Sequence, residues 1–228
     1  MRPKRSFPCE FIAVAFASVL ILSMMSACGK EKENTPTSML MTATTTPTSD
    51  LKFFQPACDI DGASDFEGHN EIIRIFHQTT GISDDTETYR VEYNIVLRDE
   101  DAPIGDNIYD PYRKDKYGRI ADIETLVVYG DKETGSLKRI EFPDTYSGSQ
   151  QFFTAVPQHQ SKEIYKPKRD IYINTWNHLF AEYDTNPDLE KYVWILDNGQ
   201  YKCNNGITAE YSEGSREDAE VWVKGTGG

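Results

Sequence analysis

An antiparallel β-sandwich, with long loops and at most short helices, is the fold class this sequence predicts. Three observations predict it. All 13 tyrosines and all three tryptophans fall after residue 50, in a region rich in β-branched residues that suit a pleated, half-buried surface. Clusters of Gly, Pro, Asn and Asp punctuate apolar stretches of strand length. No segment shows the 10–15-residue helical period expected between parallel strands.

The elements follow in order. Glu71 to Gln78 is open: Ile72, Ile73, Ile75 and Phe76 fit a helical face, while the β-branched content favours a strand. Tyr89 to Leu97 alternates apolar and polar residues over its first seven positions and is the clearest strand. Asp99-Glu100-Asp101 ends it. Ile104 to Arg119, with Gly105, Pro111 and Gly118, reads as a polar, turn-rich segment. Ile120 to Tyr129 is a second strand. The turn at Gly130-Asp131 and Thr134-Gly135 returns it as a third, Leu137 to Phe142, making a hairpin. Ile164-Tyr165, Asp170 to Thr175 and Lys191 to Asp197 are further strands, the last followed by an Asp197-Asn198-Gly199 turn. Val221-Trp222-Val223 closes the series as an edge strand.

Ahead of this domain lie an address and a tether. Arg2, Lys4 and Arg5 precede an apolar run from Phe11 to Leu22, the n-region and h-region of a secretory signal. At twelve residues the run is short of the roughly 20 that a spanning helix needs. Ser26-Ala27-Cys28 then resembles the lipobox of bacterial lipoproteins. That resemblance implies diacylglycerol on the Cys28 sulfur, cleavage before it, and a lipid-anchored, extracytoplasmic protein on a cell membrane or outer membrane. Residues 28–50 carry a Lys-Glu-Lys-Glu run and then Thr, Ser and Pro, too polar to fold. About 20 such residues spread over roughly 25 Å as a flexible tether. The globular domain is residues 51–228.

Loss of residues 1–27 leaves 21 basic and 36 acidic residues, a net charge of −15. So acidic a chain repels phosphate backbones, which excludes nucleic acid as a partner. The domain holds two cysteines, Cys58 and Cys203, one near each end. In an oxidising compartment an even pair with no third partner predicts a disulfide.

Chemistry-bearing motifs are sparse. The sequence has no Gly-x-Ser-x-Gly elbow, phosphate loop, dinucleotide fingerprint or His-Glu-x-x-His. Asp59 to Asp65 has some carboxylates of a calcium loop, but its glycine is misplaced and the closing glutamate is missing. His69, His77 and His159 are isolated. The pattern that stands out is Gly118-Arg119-Ile120-Ala121-Asp122-Ile123-Glu124. On a strand Asp122 and Glu124 share a face and Ile123 takes the other, which is the core side if the carboxylates are solvated. Such a pair can ligate a hard cation or work as an acid–base couple.

That heptad leads into Leu126-Val127-Val128-Tyr129, and a later strand, Ile171 to Thr175, runs into Trp176-Asn177-His178. The order resembles the β-sandwich of the necrosis- and ethylene-inducing-like cytolysins and a related set of vacuolar-sorting proteins. It covers about Tyr89 to His178. The resemblance implies that Asp122 and Glu124, with His178 nearby, are candidate ligands for a divalent cation, calcium or magnesium, in a site that contacts a sugar headgroup. Arg119, Ala121 and Ile123 stand where the family has histidine, histidine and tryptophan. Arg119 cannot ligate a metal and is instead a candidate ion-pair partner for the carboxylates.

The expectation is a non-catalytic, lipid-anchored surface module that binds a glycan, a cell-wall component or a divalent cation. A hydrolase using Asp122, Glu124 and His178, and a purely structural envelope lipoprotein, are the alternatives.

Overall fold

The computed structural model describes residues 51–57, 70–81, 88–100, 102 and 106–226. They belong to one compact unit. The signal, Cys28, the tether, Cys58, the Asp59–Asp65 loop and His69 lie outside the described residues.

Among the described residues eleven strands and two helices follow one another: β1 (Lys52–Pro56), β2 (Ile72–Gly81), β3 (Thr88–Leu97), α1 (Asp106–Tyr117), β4 (Asp122–Asp131), β5 (Leu137–Tyr146), β6 (Gln160–Tyr165), β7 (Asp170–Ile173), β8 (Phe180–Ala181), β9 (Lys191–Asp197), β10 (Gln200–Cys203), β11 (Thr208–Glu213) and α2 (Arg216–Thr226). The strand order is β4-β3-β2-β11-β10-β9-β1-β7-β8-β5-β6. A further β4–β5 pairing, from Val127↔Glu141 to Gly130↔Leu137, joins the chain of strands into a ten-strand barrel. β6 hangs on β5 as an eleventh strand.

The barrel corrects the expected sandwich. Alternation tells which residues share a face but not how strands meet at their edges, and a sandwich and a barrel alternate alike. Closure depends on parallel pairings between distant segments, β1 with β7 and β2 with β11. Both include a strand, β1 or β11, that is absent from the sequence reading.

Inside the barrel, Phe53, Ile75, Tyr93, Ile95, Leu126, Phe142, Phe180, Trp194 and Tyr201 pack into one core. β3 shows how the sequence directs this: Val91, Tyr93, Ile95 and Leu97 point inward, while Arg90 and Glu92 on the outer face are only half-buried. Arg139, Glu141 and Glu163 add charge to the outer faces of β5 and β6. Among the described residues no helix is long and apolar enough to cross a membrane. The β9–β10 turn is the predicted one, with Asn198 and Gly199 both at positive φ (52° and 78°), as a two-residue primed turn requires. Glu71 to Gln78 resolves as strand β2.

Both helices contradict the sequence reading. Val221-Trp222-Val223 lies in α2, not in an edge strand. Ser215 Oγ accepts the Asp218 N–H (3.2 Å) and Asp218 Oδ2 accepts the Ser215 N–H (2.7 Å), a capping box. Ala219 and Val223 then pack on Phe76, Val96, Ala121 and Ile123 on the outer barrel wall. The segment read as turn-rich contains α1, twelve residues with Pro111 inside. Its buried anchor is Arg113, 3 % exposed, so no apolar stripe announces the helix.

Cys203 is buried in the barrel interior, and burial pushes its thiol pKa up. Its expected partner, Cys58, lies outside the described residues.

Candidate ligand pocket above a buried charge network

The register of β3 on β4 places Asp122 opposite Leu97 and Glu124 opposite Ile95. Leu97 and Ile95 belong to the interior core, as do Leu126 and Val128 farther along β4. The two carboxyl groups therefore share a face, and that face is the inside of the barrel. This reverses the expected orientation: Ile123 points outward and is buried beneath α2. The outer wall is covered here, so an apolar residue between two acids does not mark the core side.

Asp122 is held from several directions. His178 Nδ1 lies 3.0 Å from its Oδ2, Arg113 Nη2 3.3 Å from its Oδ1, and Arg119 Nη1 3.9 Å from Oδ1. Burial alone would raise the Asp122 carboxyl. The hydrogen bond from His178 and the charges of Arg113, His178 and Arg119 outweigh it and hold the group well below the usual carboxylate range. Glu124 goes the other way. Burial first, and then the Asp122 charge beside it, push its carboxyl well above the ordinary value. Two neighbouring carboxyls are thus pushed in opposite directions by their surroundings.

His178 reaches the site through its backbone. After β7 the chain turns at Thr175–His178, where the His178 N–H donates to the Thr175 carbonyl (2.9 Å), and His178 adopts φ 62°. Histidine tolerates this left-handed region better than most residues. The ring is 1 % exposed. Its Nε2 lies 2.5 Å from Asn70 Oδ1, so both ring nitrogens face oxygens. The Asn70 carbonyl accepts from Gln55 Nε2 (2.5 Å), and Gln55 Oε1 accepts from Trp194 Nε1 (3.2 Å). A polar chain thus runs from the aromatic core to Asp122.

Arg113 closes the network on the α1 side. It donates to the carbonyls of Ile120 (3.0 Å) and Ala121 (3.2 Å) and pairs with Glu100, which also accepts from Tyr109 OH (2.9 Å). Arg119, expected to pair with the heptad carboxylates, does stand 3.9 Å from Asp122, and it also grips Glu220 of α2 with two bonds of 3.2 Å and donates to the Ala121 carbonyl.

This donor set does not fit a divalent cation. Guanidinium and imidazole groups already surround Asp122, burial disfavours a charge on Glu124, and His178 is committed to Asp122 and Asn70. Among the described residues no group of three or more His, Cys, Asp and Glu side chains is arranged to hold a metal ion.

Above the network the barrel wall parts. β4 pairs with β5 only from Val127 onward. Ahead of that point Pro143, Asp144 and Thr145 stand off from the start of β4, bridged by the Thr145 Oγ1 bond to the Thr125 carbonyl (2.8 Å). A cavity of about 350 Å³ opens there. Asp122 and Glu124 reach it from β4, and Arg113, Tyr112 and Tyr117 from α1. His159 and Arg216 complete its rim. Tyr112 and Tyr117 are 51 % and 43 % exposed. Asp122 and His178 meet directly, but His178 lies behind the carboxylates rather than on the cavity wall.

Arg113, Asn70, Glu100 and Arg216 were not singled out from the sequence. One signal was available: Tyr109, Tyr112 and Tyr117 recur at near-helical spacing around Arg113 in a segment otherwise read as turns.

No family model, no curated protein and no solved structure matches this chain.

Proposed function

We propose that this is a lipid-anchored, extracytoplasmic surface protein whose barrel binds a small polyhydroxylated ligand, a glycan or cell-wall fragment, without transforming it. The observation that carries the reading is the cavity at the β4–β5 seam, where two half-exposed tyrosines stand beside a polar floor. Aromatic rings stack on the apolar faces of sugars, and a few fixed polar groups orient the hydroxyls. The lipobox at Cys28 and the polar tether supply the anchor and the standoff. Binding is favoured over hydrolysis because Asp122, the ionised member of the pair, is spent on His178 and Arg113. A base engaged in this way is not poised to take a proton from substrate or water.

Calorimetric titration of the domain with neutral and acidic mono- and oligosaccharides tests the reading. Saturable binding is expected, and Tyr112→Ala should weaken it about tenfold while leaving the melting temperature nearly unchanged, since Tyr112 is half exposed. A folded domain that binds none of these sugars overturns it.

A further inference from the structure

Three arginines line the cavity, and they differ in what they have left to offer. Arg113 and Arg119 have side chains only 4 % and 7 % exposed, and each is occupied by carboxylates and backbone carbonyls. Arg216 is different. Its side chain is 41 % exposed; it donates to Thr125 Oγ1 (3.0 Å) and stands 3.6 Å from Glu220 Oε1, an oxygen that Arg119 also engages. A guanidinium carries five N–H donors in a planar fork, so Arg216 keeps donors for another acceptor. Glu124 also lines the cavity; burial and the Asp122 charge raise its carboxyl, and the Arg216 charge pulls it back down.

We infer that Arg216 selects a polyhydroxylated ligand bearing a single negative charge, such as a uronic acid, seating the ligand's anionic group against its guanidinium at the cavity rim. The inference rests on the binding reading above. A planar fork matches a carboxylate with two parallel bonds. The limit to one charge comes from the surroundings: Asp122, Asp144 and Glu100 also line the cavity, and a dianion would meet their combined repulsion.

The test compares D-glucuronate, D-glucose and glucose 1-phosphate by calorimetric titration against the parent, Arg216→Gln and Arg216→Lys, with melting curves confirming that each variant folds. The expected result is at least tenfold tighter binding of glucuronate than of glucose by the parent. Arg216→Gln should abolish that preference with glucose binding retained, and Arg216→Lys should keep part of it. Equal affinity for glucuronate and glucose in the parent overturns the inference and leaves the binding reading standing. No binding of either sugar overturns both. A preference that survives Arg216→Gln removes the assignment to Arg216. Glucose 1-phosphate bound as tightly as glucuronate removes the limit to a single charge.

Discussion

Strand β4 changes character halfway along its inner face. Asp122 and Glu124 enter the barrel first, within a mesh of guanidinium, imidazole and amide groups; Leu126 and Val128 follow among aliphatic and aromatic neighbours. All four are buried. The apolar half tolerates imperfection, because a lost contact there costs only its own area and the hole it leaves. The charged half does not, because each member is buried on the condition that its partner is present. One strand therefore carries a robust half that builds the barrel and a conditional half that shapes the cavity.

Removing a partner from the conditional half should have the largest effect. Arg113→Met keeps the volume and drops the charge, leaving Asp122 and Glu100 buried without their shared cation. The expected loss is about 3–5 kcal/mol, read as a fall in melting temperature on the order of 10 °C or more for a domain of this size. If Arg113→Met unfolds at the parent's temperature, the network is not conditional and the contrast between the halves fails.

The matching change in the robust half is Leu126→Ala. Leu126 is fully buried, and truncation should cost about 2–4 kcal/mol from lost transfer energy plus the residual cavity. The two substitutions also differ in what rescues them. Asp122→Asn should offset part of the Arg113→Met loss, since it removes one of the stranded charges, and the pair should show a coupling energy of about 1–3 kcal/mol. Asp122→Asn should give Leu126→Ala no such relief. Denaturant unfolding of two four-member cycles, Asp122→Asn with Arg113→Met and Asp122→Asn with Leu126→Ala, checks both statements.

How much of this the sequence discloses also differs between the halves. The inward set of β3, the β4–β5 hairpin and the Asn198-Gly199 turn were legible, because each depends on local spacing or turn chemistry. That Asp122 and Glu124 share a face was legible for the same reason. Which face looks into the barrel was not: Ile123 is covered by α2, whose Val-Trp-Val run imitates a strand. α1 escaped because Pro111 reads as a breaker and because the helix is anchored by an arginine. His178 was picked out as a strand-end histidine, yet its link to Asp122 spans 56 residues and Asn70 lies 108 residues from it. No local pattern encodes contacts of that range, and the edge pairings that close the barrel share the difficulty.

The finest test separates the two carboxyls of the conditional half from each other by pH. The Asp122 pKa is depressed on folding, so its contribution is fully present above its ordinary value of 3.8 and fades as pH falls through the folded value. Glu124 is raised above its ordinary 4.5. As pH climbs past 4.5 the unfolded chain releases that proton while the folded chain holds it, so the unfolded state binds fewer protons and stability falls with rising pH until the folded group itself ionises. Glu124→Gln keeps a neutral hydrogen-bond donor beside Asp122 and removes the titration. Urea unfolding between pH 4.5 and 8 should show parent stability declining relative to Glu124→Gln across that window, with the variant equal to or more stable than the parent at the upper end. The two should converge below pH 4.5, where both carry a neutral side chain at this position in either state. A constant difference between parent and variant over the whole range would mean that Glu124 ionises inside the barrel as readily as in water, and the opposite pulls on the two carboxyls would be lost with it.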